Sequence, residues 1–223
     1  MGIEERKQRE KEERYNVIVD AAEKVIFSKG IEQATMQEIA REAELSKGTL
    51  YLYFKSKNEL YTAITLRGSD MLNRRFARAL GDDHSGLELV RKLGRLYLDF
   101  VKEHPDYFKA FMHYESMSDV EELRESDIAG QCEENRREAL SFIIRALQIG
   151  MQDGTIDERY DPRELAMVLW ASTRGITTVT HMKGEGHYFR VLDEMEIDTG
   201  ALFDSYLALL SSGIASGKHK KES

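Results

Sequence analysis

The stretch from Thr35 to Lys57, TMQEIAREAELSKGTLYLYFKSK, constrains the fold more than any other part of the chain. Thr35 followed three residues later by Glu38 is a capping box, in which hydroxyl and carboxylate satisfy orphan amides at a helix start. A short helix therefore opens at Met36, with Met36, Ile39, Ala40 and Ala43 at helical spacing. Glu44 and Leu45 break that pattern before Ser46 supplies a second N-cap. The next helix, Lys47 to about Phe54, is shorter than the ~12 residues that stay helical unaided, so it must be held by packing. Leu50 and Phe54, four residues apart, form the held face and leave Lys47, Gly48, Thr49, Tyr51 and Tyr53 nearer the open side. The expectation is a helix, a tight turn and a second helix.

Charge points to what the open side meets. Leu45 to Asn58 holds three Lys and no acid, in a chain of 223 residues with net charge −8. Residues 1–60 carry 11 Lys+Arg against 12 Asp+Glu, and residues 61–223 carry 21 against 28, so the acid excess lies in the later part. A local positive patch on an acidic protein argues for an anionic partner at this spot. The length allows one large or two modest domains with a full core, and no disulfide or metal is needed to staple it. Cys132 is the single cysteine, and MGIEERKQREKEER lacks the apolar run of a secretion signal. No apolar run approaches the ~20 residues of a membrane span, so the expected compartment is the cytoplasm, with no membrane partner.

The run from Ile18 to Tyr61, with AAEKVIFSKG, TMQEIAREAELSKGTLYLYF and KSKNEL, resembles the DNA-binding domain of the tetracycline-repressor (TetR) family of bacterial transcription regulators. Two positions depart from the family pattern. Glu44 sits in the turn where the family commonly has Gly, and Ile26 with Phe27 shifts the usual Phe by one position. A non-Gly residue in the left-handed region costs ~1 to 2 kcal/mol. The resemblance implies DNA contacts from Thr35, Gln37, Ser46, Lys47, Gly48, Thr49, Tyr51, Tyr53 and Lys57. Thr35, Tyr51 and Lys57 have the chemistry to donate to phosphate, while Gln37, Lys47 and Thr49 suit base edges.

Elsewhere the pattern is helical throughout. Residues 4–14 alternate Glu, Lys and Arg and read as a solvated helical extension, or as an arm whose Arg6, Arg9 or Arg14 reaches DNA. Ile18, Ala21, Ala22, Val25 and Ile26 form the stripe of a first helix. Ser56 and Glu59 cap a fourth helix running from Lys57 to about Leu80. Further helices are expected from residue 87, from Pro105, over about 128–152, over about 162–182 and over about 199–212. The charged segment 118–126 reads as a loop or short helix, 183–197 as irregular and GKHKKES as a solvated tail. The fold class is all-α, with an N-terminal three-helix helix-turn-helix DNA-binding domain over 1–60 and a helical ligand-binding and dimerisation domain over 61–223.

In that second domain, Phe111, His113, Tyr114, Met117, Met151, Trp170 and Arg174 are the candidate lining of a small-molecule pocket, or equally core. Arg174 either holds a polar group of a ligand or pairs with an acid on a neighbouring helix. Val168, Ala171, Gly175 and Val179 on one helix, with Phe203, Tyr206, Leu207 and Leu210 on the last, read as a homodimer interface or as an intramolecular core. The histidines lack metal spacing, and no Gly-rich phosphate loop occurs, so neither an enzyme, a metal site nor a cofactor is expected. The leading functional expectation is a ligand-responsive repressor that binds a pseudo-palindromic operator as a homodimer and is released by an unidentified small-molecule effector. The alternative is a constitutive DNA-binding regulator whose later domain binds a protein or only dimerises.

Overall fold

The structure, a computed structural model, describes residues 2–81, 83–117, 126–184, 194 and 198–216. It is all-α: among the described residues there are nine helices and, as the one β feature, an isolated antiparallel bridge between Ile156 and Ala215. The helices are α1 Ile3–Lys29, α2 Met36–Glu42, α3 Lys47–Tyr53, α4 Lys57–Ala79, α5 Gly86–Glu103, α6 Pro105–Ser116, α7 Asp127–Asp153, α8 Pro162–Gly184 and α9 Thr199–Ile214. None is long and apolar enough to cross a membrane. The expectations for residues 118–125, for most of 183–197 and for the tail fall outside the described residues.

Two compact units divide the chain. Residues 1–71 group with 104–135, and residues 72–103 with 136–223, so α4 and α7 each run from one unit into the other. The sequence reading draws its boundary at residue 60 instead, at a change of function rather than of packing.

The first unit is built around α1. Its first dozen residues are exposed and carry i,i+4 pairs such as Arg6 with Glu10, whereas Ile18, Val19, Ala22, Val25 and Ile26 are buried. The helix is thus polar all round from Glu4 to Arg14 and amphipathic after Tyr15, one continuous element with two surroundings. Ile39, Leu50, Phe54, Leu60 and Ile64 join the α1 stripe in a single core, and Ala110 of α6 and Met117 just after it complete that core. A charged cluster ties α1 to α4 and α6. Arg67 donates to Asp20 at 2.5 Å and to Glu23 at 2.9 Å, and the Tyr107 hydroxyl donates to the other Glu23 oxygen at 2.7 Å. Burial works against the Arg67 charge, but the Asp20 hydrogen bond and the field of Glu23 and Asp20 more than offset it and raise its pKa.

α2 and α3 are each seven residues long, and their ends are closed by local hydrogen bonds. Ser46 Oγ accepts from the Thr49 amide at 3.0 Å at the start of α3. At the end of α2, Leu45 N donates to Ala40 O and Glu44 N to Arg41 O, the double closure of a Schellman turn. That turn requires a left-handed residue, and Glu44 occupies the position at φ 53°, the one positive-φ non-glycine among the described residues.

The second unit contains a close backbone crossing. The start of α5 lies against α7, so a Cβ at Gly86 would fall 1.9 Å from Gly150 N, while Gly86 N donates to Asp153 Oδ2 at 2.7 Å. Further along α5, Leu98 packs on Phe203 and Leu207 of α9, with Ile176 of α8 and Tyr206 beside them.

Two stability predictions follow from these glycine-sensitive places. Glu44→Gly should raise stability by about 1 kcal/mol, since it relieves the left-handed strain and keeps the turn's hydrogen bonds; a drop in the urea midpoint would contradict this. Gly86→Ala should cost at least ~1 to 3 kcal/mol, because backbone must move away from backbone, whereas Gly130→Ala in α7, where a Cβ meets nothing within 4 Å, should be neutral or gain up to ~1 kcal/mol. Thermal unfolding of the two variants side by side is the measurement.

Candidate nucleic-acid interface

The two short helices present a surface whose shape comes from what they bury. Leu50 and Phe54 are fully buried, which turns Lys47, Gly48, Tyr51 and Leu52 outward, with Thr49 and Tyr53 half-buried at the flanks. Leu52 is 84% exposed and Tyr51 43%. The Lys47 ammonium lies 5.7 Å from the centre of the Tyr51 ring, which holds both side chains on one side of α3. Tyr53 leans on the core, so its role is partly to pack.

At the start of α2 the capping box forms in both directions. The Glu38 amide donates to Thr35 Oγ1 at 3.2 Å, and the Glu38 carboxylate accepts from the Thr35 amide at 3.1 Å and hydroxyl at 2.9 Å. Lys29 adds a 2.5 Å bond to the same carboxylate. Lys29 first, and then Thr35, hold the Glu38 carboxyl down at about 2. A depressed carboxyl stabilises the fold above the ordinary carboxylate range and loses that contribution as pH falls toward 2. Beside this cap, Thr35, Gln37, Arg41 and Lys47 line an open concavity of about 660 Å³.

Lys57 differs from the expected picture of a free phosphate donor. Its ammonium donates to the backbone carbonyls of Ala34 at 3.0 Å and Glu32 at 3.3 Å, so it ties the loop before α2 to the start of α4. An ammonium has three donors, which leaves one for another acceptor. Two further residues join the surface that sequence reasoning passed over. Arg41 stands four residues after Gln37, one helical turn along the same face of α2, and that spacing was available from the sequence. Leu52 carried no such signal, because an apolar residue inside an amphipathic stretch reads as core.

The second unit holds an apolar cavity of about 80 Å³, lined by residues of α4, α5, α7, α8 and α9 that include Phe76, Tyr97, Trp170, Thr173 and Arg174. Of the expected pocket residues, Trp170 and Arg174 line it, with the guanidinium 5.6 Å from the indole centre. Burial lowers the Arg174 pKa and raises that of Tyr97, whose hydroxyl the Thr177 hydrogen bond partly compensates. Phe111, His113, Tyr114 and Met117 belong to the first unit: Met117 is buried in its core, Tyr114 packs on that core, and the His113 ring meets Tyr61 edge-on at 4.7 Å. Met151 is half-buried on α7 and is not part of the cavity wall.

The residues expected at a dimer interface separate in the same way. Phe203 and Leu207 are buried within the chain's own second unit, and Tyr206 and Leu210 line the cavity. Val168, Ala171 and Gly175 are exposed along one side of α8, Val179 is half-buried, and Met167 at 47% and Leu209 at 73% add large apolar surface.

Residues 18–64, the whole of the helix-turn-helix and its flanks, match the model for bacterial regulatory proteins of the tetR family. An uncharacterised HTH-type transcriptional regulator of Mycobacterium tuberculosis is 34% identical over 127 residues, which cover 56% of this chain and 54% of the relative, so the chain matches about half of that relative's length. The fatty acid metabolism regulator protein of Bacillus subtilis is 28% identical over 208 residues, covering 92% of this chain and 98% of the relative. In fold, the chain is similar to the solved transcriptional regulator FadR from Bacillus subtilis in complex with stearoyl-CoA, with a TM-score of 0.62 at 24% identity over 90% of this chain and 99% of that one. The capped α2, the left-handed turn and the anchored α3 all lie within the matched residues, so it is this segment that carries the likeness to the bacterial regulatory proteins of the tetR family.

Proposed function

We propose that the chain is a homodimeric, ligand-responsive transcriptional repressor that occupies a pseudo-palindromic operator and leaves it when a small molecule fills the second unit. The observation that carries this reading is α3: a helix too short to stand alone, sunk into the core by Leu50 and Phe54, with a lysine, a phenol and no acid on its outward side. Such a helix fits the major groove, with Lys47 suited to guanine O6 and N7, and Thr35, Tyr51 and the remaining Lys57 donor suited to phosphate. Val168, Ala171 and Gly175, joined by Met167 and Leu209, supply the unpartnered apolar surface that a two-fold partner would cover. A two-fold arrangement would present two copies of α3 to half-sites about 34 Å apart.

The effector would be an elongated apolar molecule with one polar or anionic group. The lining of the cavity supports this, with Leu, Ile and Val side chains around Arg174 and Tyr97. Similarity to a fatty acid metabolism regulator over almost all of its length, and in fold to a regulator that holds stearoyl-CoA, makes long-chain acyl thioesters the first ligands to test. At about 80 Å³ the cavity is far below the ~300 Å³ of a typical small-molecule site, so such a ligand must spread its walls. Leu72 and Phe76 of α4 are part of those walls, and the first residue of the same helix is Lys57. A ligand that shifts α4 would therefore disturb the loop held by Lys57 and the spacing of paired α3 helices.

Lys47→Ala should relax base preference at one position per half-site by ~1 to 3 kcal/mol, as read from sequences selected out of random duplex DNA; an unchanged selected motif would remove Lys47 from base reading. The ligand mechanism is tested by titrating acyl-CoA of graded chain length into the protein with and without operator. Linkage requires that a ligand lowering operator affinity bind the operator complex more weakly by the same factor, roughly 5- to 150-fold for a coupling of ~1 to 3 kcal/mol. Equal ligand affinity in both titrations would sink induction and favour a constitutive regulator.

A further inference from the structure

We infer that Leu52 reads the methyl group of a thymine on the floor of the major groove and so sets one position of the operator, an inference that rests on the DNA-binding role proposed above. At roughly 100° per residue, Leu52 stands about 180° from the mean direction of Leu50 and Phe54, the two side chains that α3 buries. It therefore occupies the outermost line of the helix. The other residue on that line is Gly48, one turn earlier, where a Cβ would have only Ser46 Oγ, at 3.7 Å, within 4 Å. A helix entering a groove ~12 Å wide advances along its outermost line, with a glycine to let the backbone close in and Leu52 as the first side chain to arrive.

The polar side chains stand to either side. Lys47 is drawn toward the Tyr51 ring, and the Thr49 hydroxyl is 2.8 Å from Ser46 Oγ, in the cap at the start of the helix. Leu52 has neither donor nor acceptor, and it is 84% exposed. Helix propensity does not ask for it, since Lys, Arg, Gln and Glu serve about as well as Leu. Against a base-pair edge, a leucine is rewarded only by the thymine C5-methyl and penalised wherever it strips water from an amino or carbonyl group. The expected result is a preference for thymine at one position per half-site, carried by apolar contact alone.

The test uses the full-length protein and the best site selected from random duplex DNA. Each thymine of that site is replaced in turn by deoxyuridine, which removes the methyl group and leaves the hydrogen-bonding edge intact. At one thymine per half-site the wild-type protein should lose about four-fold in affinity, the worth of one buried methyl group. Leu52→Ala should lose nothing at that thymine and respond like wild type at all others. As a second variant, Leu52→Gln should shift the selected base at that position from thymine to adenine. If no thymine methyl matters to wild type but not to Leu52→Ala, or if Leu52→Gln selects the wild-type motif, the contact is overturned while the operator-binding role stands. If wild type selects no sequence at all, that role falls and Leu52 with it.

Discussion

Everything in the helix-turn-helix depends on the burial of two side chains, Leu50 and Phe54. A seven-residue helix has too few internal hydrogen bonds to repay the cost of nucleating it. Each of these side chains contributes ~1.5 to 3 kcal/mol on leaving water, which offsets that cost and also orients the helix. The α1 stripe, Ile39, Leu60 and Ile64 exist in this light as the socket into which the pair fits. The outward chemistry of α3 is what remains once that fit is made.

Much of this end was legible from residue spacing. Thr35 with Glu38, and Ser46 before Lys47, announce helix starts because a cap acts within three or four residues and leaves its mark locally. The turn at Glu44 was legible too, from a broken apolar period between two helices that still had to connect, while its left-handed backbone was implied only by the glycine that the resembled family commonly has there. What could not be read were contacts between residues far apart in sequence. Lys57 looked like a free cation, and only the folded chain brings the carbonyls of Glu32 and Ala34 to it. The aromatic run of α6 read as pocket lining or as core, because periodicity says how much of a helix is covered and not by what. Tyr114 and Met117 turn out to serve the core beneath the helix-turn-helix, and the cavity in the second unit draws instead on Tyr97 and Thr173.

The two units use polar groups in different ways. In the first, Arg67, Asp20, Glu23 and Tyr107 satisfy one another, and removing Arg67 would strand the largely buried carboxylate of Glu23. In the second, Tyr97 and Arg174 sit at the wall of an apolar cavity where burial disfavours the charged form of each. One unit ties its helices together with a charged cluster, and the other places Tyr97 and Arg174 at the wall of a cavity. That contrast is what a fixed DNA-reading surface and an adaptable ligand site would each require.

The order of residues in the first unit has a consequence for how the protein is made. Its core takes α1 to α4 from residues 1–71 and then waits for residues 104–135, which bring Tyr107 to Glu23 and bury Ala110 and Met117. On a ribosome, synthesis at ~5 to 20 residues per second puts seconds between the first part and the last. During that interval α1 to α4 lack the apolar cover that α6 provides, and the intervening α5 has emerged without α7 to α9 to pack on. The first unit can close once residue 135 has emerged, whereas the second must wait for residues 136–223, so residues 72–103 stay without their packing partners while the first unit forms.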